Sequence, residues 1–168
     1  MALKAVFPGT FDPIHYGHID IVKRGCALFD EVIVAVYNRP LKDLLFSRNE
    51  RIELVQEAFL KADNVIIKSY DGLTVDFCNS VDAKIILRGL RVFSDFEHEF
   101  RMALANRRLA HNIDTVSLIT SEQHTFLSSS TVREIAALGG DVSSMVPDFV
   151  LDALEKKLAQ DYIKSEDV

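Results

Sequence analysis

The stretch Leu3-Lys4-Ala5-Val6-Phe7-Pro8-Gly9-Thr10-Phe11-Asp12-Pro13-Ile14-His15-Tyr16-Gly17-His18 decides the reading of this chain. Its first five residues make a short apolar strand, and Pro8, Gly9, Asp12 and Pro13 stop that strand and force a turn. Ile19, Ile21, Val22, Ala27, Leu28 and Phe29 then supply the apolar stripe of an amphipathic helix beginning near Gly17. A strand, a tight turn and a helix make an arrangement suited to phosphate, because the unpaired amides and positive dipole end of the helix face whatever lies above the strand. His15 and His18 stand three apart, and Gly17 between them leaves no side chain in the way of a ligand. On the residues alone two other readings stay open. The histidines could simply cap or pack a helix start, or they could ligate zinc, although no nearby Cys or third His completes such a site.

Outward from that turn the pattern repeats. Glu31 to Tyr37 is a nearly continuous apolar run, as expected of a strand covered on both faces. A loop from Asn38 to Phe46 leads to Ser47-Arg48-Asn49-Glu50, a capping box, and to a helix carrying Ile52, Leu54, Val55, Ala58 and Phe59. Val65 to Ile67 reads as a third strand, Asp71-Gly72 as a turn and Leu73 to Asn79 as a short helix. Ala83 to Leu87 is a fourth strand ending at Arg88-Gly89. Ser94-Asp95-Phe96-Glu97 reads as a second capping box, opening a helix to about Leu109. Thr115 to Ile119 is the fifth strand. Ser128 begins a helix ended by Gly139-Gly140, and Pro147 suits the first position of a last helix through Leu151, Leu154 and Leu158.

This alternation predicts an α/β fold, a doubly wound five-stranded parallel sheet with right-handed crossovers. In such sheets ligands bind beyond the carboxyl ends of the strands at the switch point. Thr10, His18, Lys42, Arg88 and the loop before Ser128 are therefore expected to share one crevice.

At 168 residues, 48% hydrophobic and 26% charged, the chain reads as one domain spanning 1–168, with residues 163–168 a short polar tail expected to be flexible. No apolar run approaches membrane-spanning length and Met1 to Lys4 leads straight into a strand, so a cytoplasmic protein without a membrane partner is expected. A net charge of −6 argues against a surface that tracks nucleic acid. Cys26 and Cys78 lie in apolar helical patterns without CxxC spacing and read as buried free thiols.

Within this acidic chain, basic residues gather at strand ends: Arg39 and Lys42, Arg88 and Arg91, and Arg133 in the helix after the fifth strand. Together they suggest a local positive site, in which Arg88-Gly89-Leu90-Arg91 offers forked guanidinium groups and a glycine permitting close approach. Ser128-Ser129-Ser130 offers hydroxyls and amides at a helix start. Asp95, Glu97 and Glu99 are explained by the helix dipole. The chain has no GxxxxGK[ST], no GxGxxG after the first strand and no GxSxG, which disfavours P-loop, dinucleotide and serine-hydrolase chemistry.

His15-Tyr16-Gly17-His18 together with Ser128-Ser129-Ser130-Thr131-Val132-Arg133 resembles the paired HxGH and ISSTxxR signatures of the nucleotidylyltransferase superfamily, with its Rossmann-like sheet. Within it, residues 2 to 160 closely resemble the bacterial phosphopantetheine adenylyltransferases. The match runs through the opening turn, Lys42, Arg88-Gly89-Leu90-Arg91, Asp95-Phe96-Glu97 followed by Glu99, and Asn106-Arg107. The resemblance implies transfer of AMP from ATP to 4′-phosphopantetheine, giving dephospho-coenzyme A and pyrophosphate, the penultimate step of coenzyme A biosynthesis. It implies Mg²⁺ as cofactor, a homohexamer, and coenzyme A as a feedback inhibitor.

It further implies that His18, Lys42 and Thr10 are catalytic, His18 stabilising the transition state and Lys42 bridging the two phosphates. ATP would be held by Gly9, Thr10, Phe11, His18, Gly89, Leu90, Arg91, Glu99 and the run His124, Thr125, Phe126, Leu127, Ser128, Ser129 and Ser130. The acceptor would be held by Thr10, Lys42, Thr74 and Arg88, while no metal ligand is assigned. The chain departs from the family pattern at His98, at His15-Tyr16 and at Val92-Phe93, all at the rim of the site. Two alternatives stand beside this reading: the same fold serving another acceptor such as nicotinamide mononucleotide, and a nucleotide-binding regulator without catalysis.

Overall fold

The computed structural model describes residues 2–41 and 43–166. In chain order the elements are β1 (Lys4–Gly9), α1 (Tyr16–Gly25), β2 (Glu31–Tyr37), α2 (Arg48–Ala58), β3 (Val65–Tyr70), α3 (Thr74–Ser80), β4 (Ile85–Leu90), α4 (Phe93–Leu109), β5 (Asp114–Ile119), α5 (Ser129–Ala137) and α6 (Asp148–Glu166), with a single 3₁₀ turn at Glu122–His124. All strand pairs are parallel, in the order β3-β2-β1-β4-β5. The chain winds outward from β1 through β2 to β3, then returns to lay β4 against the other side of β1. That reversal is the switch point of a doubly wound, Rossmann-like sheet.

Side chains alternate across the sheet, as period-2 geometry requires. Phe7, Val32, Val34 and Leu87 meet Ile21 and Val22 of α1, Val55 of α2, and Val150 and Leu154 of α6 on one face. Val6, Ile33 and Ile86 meet Val75 and Cys78 of α3 and Ile113 on the other. Cys78 is buried, but Cys26, at the end of α1, is only half-buried.

Several boundaries differ from the sequence reading. β1 does not stop at Phe7 but runs through Pro8 and Gly9, which pair with Ala35 and Val36 of β2. A proline inside a central strand is tolerated here because the β1–β4 ladder holds only Ala5↔Ile85 and Val6↔Ile86, so the missing amide costs no bond on that side. The two strands part beyond Val6, and the gap becomes the cleft described below. β4 likewise continues through Arg88, Gly89 and Leu90, which pair with Ser117, Leu118 and Ile119 of β5. Arg88 thus lies within a strand and not in the loop after it.

The capping box at Ser47 and Glu50 forms as expected, but the one at Ser94 and Glu97 does not. α4 starts one residue before Ser94, with Val92 at its cap position and no side-chain cap. Pro147 stands one position ahead of α6, its carbonyl accepting from Val150 and Leu151. Residues 163–166, expected to belong to a flexible tail, continue helix α6, and residues 167–168 lie outside the described residues. No described helix is long and apolar enough to cross a membrane.

Candidate active site

The turn between β1 and α1 is built around stacked rings. His15 is the cap residue of α1, and its backbone amide donates to His18 Nδ1 at 3.3 Å. An Nδ1 that accepts leaves the ring proton on Nε2, so His18 carries an N–H donor on its far edge. The His15 ring lies face to face with His18 at 3.7 Å between centroids, and Phe11 meets His18 edge-on at 5.0 Å. Phe11 has φ +53, a left-handed conformation uncommon for a bulky residue. A Cβ on Gly9 would approach the Phe11 ring to 2.7 Å, so only glycine allows this ring its place. His15 is 4% exposed, and burial first, then the charge of Arg91 and the proximity of His124, lowers its pKa to about 3. It is therefore neutral wherever the protein is folded at ordinary pH.

Two arginines reach the same region from β4 and the residue after it, each already paired with a carboxylate of α4. Arg88 donates through Nε and Nη2 to the two oxygens of Glu99 at 2.7 and 2.6 Å, and through Nη1 to the Pro8 carbonyl at 3.1 Å. Arg91 donates to Asp95 through Nε at 3.0 Å and to the Leu127 carbonyl through Nη1 at 2.6 Å. Burial alone would raise the Asp95 carboxyl, but hydrogen bonds and charge from Arg91 outweigh it and hold the group below its usual range. Asp95 stands in the first turn of α4, as the dipole reading expects, and it and Glu99 also orient guanidinium forks. Glu97 instead pairs with Arg101 at the surface.

The expected ring of five cations is also narrower than the sequence suggested. Arg133 turns away to Asp12, bonding its carbonyl and carboxylate, and Arg39 pairs with Asp71 on an exposed loop. Lys42 lies outside the described residues.

A cleft of about 450 Å³ opens where β1 and β4 part. Its wall holds Gly9, Thr10, Phe11, His18, Arg88, Gly89, Arg91, Glu99, Leu127, Ser128, Ser129 and Ser130 together. The remote amino-terminal turn and the late serine run therefore meet, as the sequence required. Ser128 caps α5 by accepting from the Thr131 amide at 3.0 Å, and the Ser129 hydroxyl donates to the Pro13 carbonyl at 2.8 Å, tying α5 to the turn. Thr74 lines a second cavity of about 260 Å³ with Tyr37 and Tyr70, and this cavity shares Pro8, Gly9, Thr10 and Arg88 with the cleft. Leu90, His124, Thr125 and Phe126 are not in the cleft wall. Leu90 accepts from Thr120 at 2.8 Å, His124 stacks with Tyr16 at 6.3 Å, the Thr125 hydroxyl donates to Ser121 at 3.4 Å, and Phe126 is exposed.

Residues 6–135 match the cytidylyltransferase-like family. A phosphopantetheine adenylyltransferase of Caldanaerobacter subterraneus subsp. tengcongensis is 50% identical over 153 residues, 91% of this chain and 96% of that one. Another from Thermosynechococcus vestitus is 49% identical over 164 residues, 98% of each chain. This chain belongs to the phosphopantetheine adenylyltransferase family. A lipopolysaccharide core biosynthesis protein from Thermoplasma volcanium GSS1 has a similar fold, with a TM-score of 0.54 at 25% identity over 72% of this chain and 98% of that one.

His98, expected at the rim, lines both the cleft and a smaller cavity of about 110 Å³. The structure adds Asp95 and Thr120 to the cleft wall, neither of which the sequence reading assigned a role in the site. Among the described residues no group of three or more His, Cys, Asp or Glu could hold a metal ion, and the His15 and His18 rings stack on each other, with His18 Nδ1 taken by the His15 amide. The same donor set fits Mg²⁺ in one way only. Magnesium commonly keeps its waters and rides on substrate phosphates rather than in a protein cage, and here the cleft carboxylates Asp95 and Glu99 are engaged by arginines.

Proposed function

We infer that this chain transfers the adenylyl group of ATP to the phosphate of 4′-phosphopantetheine, releasing pyrophosphate and forming dephospho-coenzyme A. One observation carries the reading at the level of the site. The cleft that joins Thr10 and His18 to the serines of α5 shares a wall, at Pro8, Gly9, Thr10 and Arg88, with the cavity that holds Thr74. A donor triphosphate in the first and an acceptor phosphate in the second would meet at that wall.

The acceptor phosphate has a second pKa of about 6 and needs no strong base. Its oxygen attacks the α-phosphorus, and the bond from that phosphorus to the bridging oxygen of pyrophosphate breaks. His18 Nε2–H then stabilises the charge that develops on the transferred group, in a site whose donors are aimed before reaction. Ser128, Ser129 and Ser130, with the free amides at the start of α5, take the outer phosphates. Arg91 anchors the nucleotide side, Arg88 the acceptor side, and Lys42 and Thr10 the point of contact. Mg²⁺ carried in with the triphosphate would supply charge neutralisation there.

We also place the protein in the cytoplasm as a homohexamer. Support for assembly comes from α4, where all seventeen residues are described and none is buried, and Phe93, Phe96, Phe100 and Leu104 are exposed. Coenzyme A, which carries the acceptor's pantetheine arm, would compete at the acceptor cavity. Incubating the purified protein with Mg-ATP and 4′-phosphopantetheine should give dephospho-coenzyme A by mass and release pyrophosphate. No product, or faster turnover of nicotinamide mononucleotide, overturns the assignment, and tight ATP binding without turnover with either acceptor favours a regulator.

A further inference from the structure

Arg51 lies one turn inside α2 and is 0% exposed. Its Nη1 donates to the Thr10 carbonyl at 2.7 Å and to the Tyr37 carbonyl at 2.9 Å, while Nη2 reaches the Asn38 carbonyl at 3.5 Å. Nε is buried and has no hydrogen-bond partner among the described residues. The guanidinium therefore joins the turn that carries Thr10 to the carboxyl end of β2, where the 38–46 segment that includes Lys42 begins. The other end of that segment is tied to the same turn. Asp12, 1% exposed, accepts from the Leu45 amide at 3.0 Å and the Phe46 amide at 2.8 Å, and pairs with Arg133 of α5 at 3.2 Å.

Burying a guanidinium is costly, and apolar residues of similar volume commonly replace buried ions at no loss of stability. What an apolar side chain cannot do is hold carbonyls from two loops at a fixed separation. Arg51 itself lines neither the cleft nor the cavities, but Thr10 and Tyr37, whose carbonyls it holds, do. We propose that Arg51 is a positioning residue for adenylyl transfer: it sets where Thr10 stands relative to the 38–46 segment, so that donor and acceptor phosphates are brought into line. This inference rests on the activity proposed above.

The test uses Arg51→Met, which removes every donor, and Arg51→Lys, which keeps the charge but cannot span three carbonyls. Misplacing reacting groups by a fraction of their contact distance costs rate far more than affinity. Arg51→Met is expected to lower kcat by about tenfold or more, with Arg51→Lys between it and the parent. The dissociation constant for ATP, read by calorimetry, should stay within about threefold, because Ser128 to Ser130 are held by α5 and not by Arg51. Folded variants with the parent's kcat overturn the proposal, as does a fall in kcat matched by an equal loss of ATP binding. If Arg51→Met does not fold, Arg51→Lys decides alone, and failure of both to fold makes Arg51 a residue of general stability and also overturns it. The parent is run alongside: if it makes no dephospho-coenzyme A, the proposed activity fails, whereas an active parent and an equally active Arg51→Lys remove only the brace.

Discussion

The turn between β1 and α1 and the outer side of α4 sit at opposite extremes of burial. In the turn, Phe11, Asp12 and His15 are all buried, and hydrogen bonds reach it from α2, from the 38–46 segment and from α5. Along α4 the side toward the cleft is polar, with Asp95 and Glu99 gripping arginines, while Phe93, Phe96 and Phe100 stack on one another in solvent, Phe93 at 89% exposure. The contrast separates two uses of the same chain. Buried, hydrogen-bonded geometry is concentrated in the turn, and apolar surface is left on α4.

The sharpest way to break the comparison is at the buried end. His18→Ala should lower kcat by about 10²-fold or more, as loss of a transition-state donor does, with little change in melting temperature. Near-normal turnover in that variant would mean the buried turn is scaffolding only. A smaller effect is expected at the polar side of α4, where Glu99→Gln removes the charge that holds the Arg88 fork. A charge-assisted pair loses roughly 1 to 2 kcal/mol when one charge goes, so KM for 4′-phosphopantetheine should rise about tenfold with kcat less affected. An unchanged KM would show that Arg88 needs no help from α4.

Much of this was legible in the residues. The alternation of strand and helix patterns gives the order of elements, and the carboxyl-end rule puts Thr10, His18 and the serine run in one crevice, as the cleft wall shows. The arginine partners of Glu99 and Asp95 are not legible, because an acidic residue near a helix start already has a sufficient local explanation and nothing in the spacing points to an arginine at the end of the adjacent strand. Arg51 did leave a signal. It falls on the same helical face as Val55, Ala58 and Phe59, and a charge within an apolar stripe at that period marks a buried ion with a purpose. Pro8 hid the true end of β1, since its effect on a central strand depends on the neighbouring ladder ending first, which is a tertiary fact.

His15 gives the third effect, which appears in stability and not in rate. Folding holds its pKa at about 3 against an ordinary 6.5, so between those values the unfolded chain binds a proton that the folded chain refuses. The contribution to stability is thus full above pH 6.5 and is lost as pH falls toward 3, with a slope of at most about 1.4 kcal/mol per pH unit. His15→Thr should flatten the decline of melting temperature between about pH 6 and pH 4. Parallel decline in parent and variant would place the acid sensitivity elsewhere.

The smallest effect on a single chain is expected at the opposite extreme. Phe96 is half-exposed and, among the described residues, makes ring contacts only with Phe93 and Phe100, at 6.3 and 5.9 Å, so Phe96→Ser removes little from the folded subunit, on the order of 0.5 kcal/mol as at other surface positions. If that face is the contact between copies, the same change places a hydroxyl in the middle of an apolar interface, where aromatic anchors carry most of the binding energy. Sedimentation should then show a lower mass for Phe96→Ser than for the parent, with kcat per subunit within about threefold, since the cleft is built within one chain. A variant of unchanged mass would mean that the exposed ladder of rings is not the surface on which the copies meet.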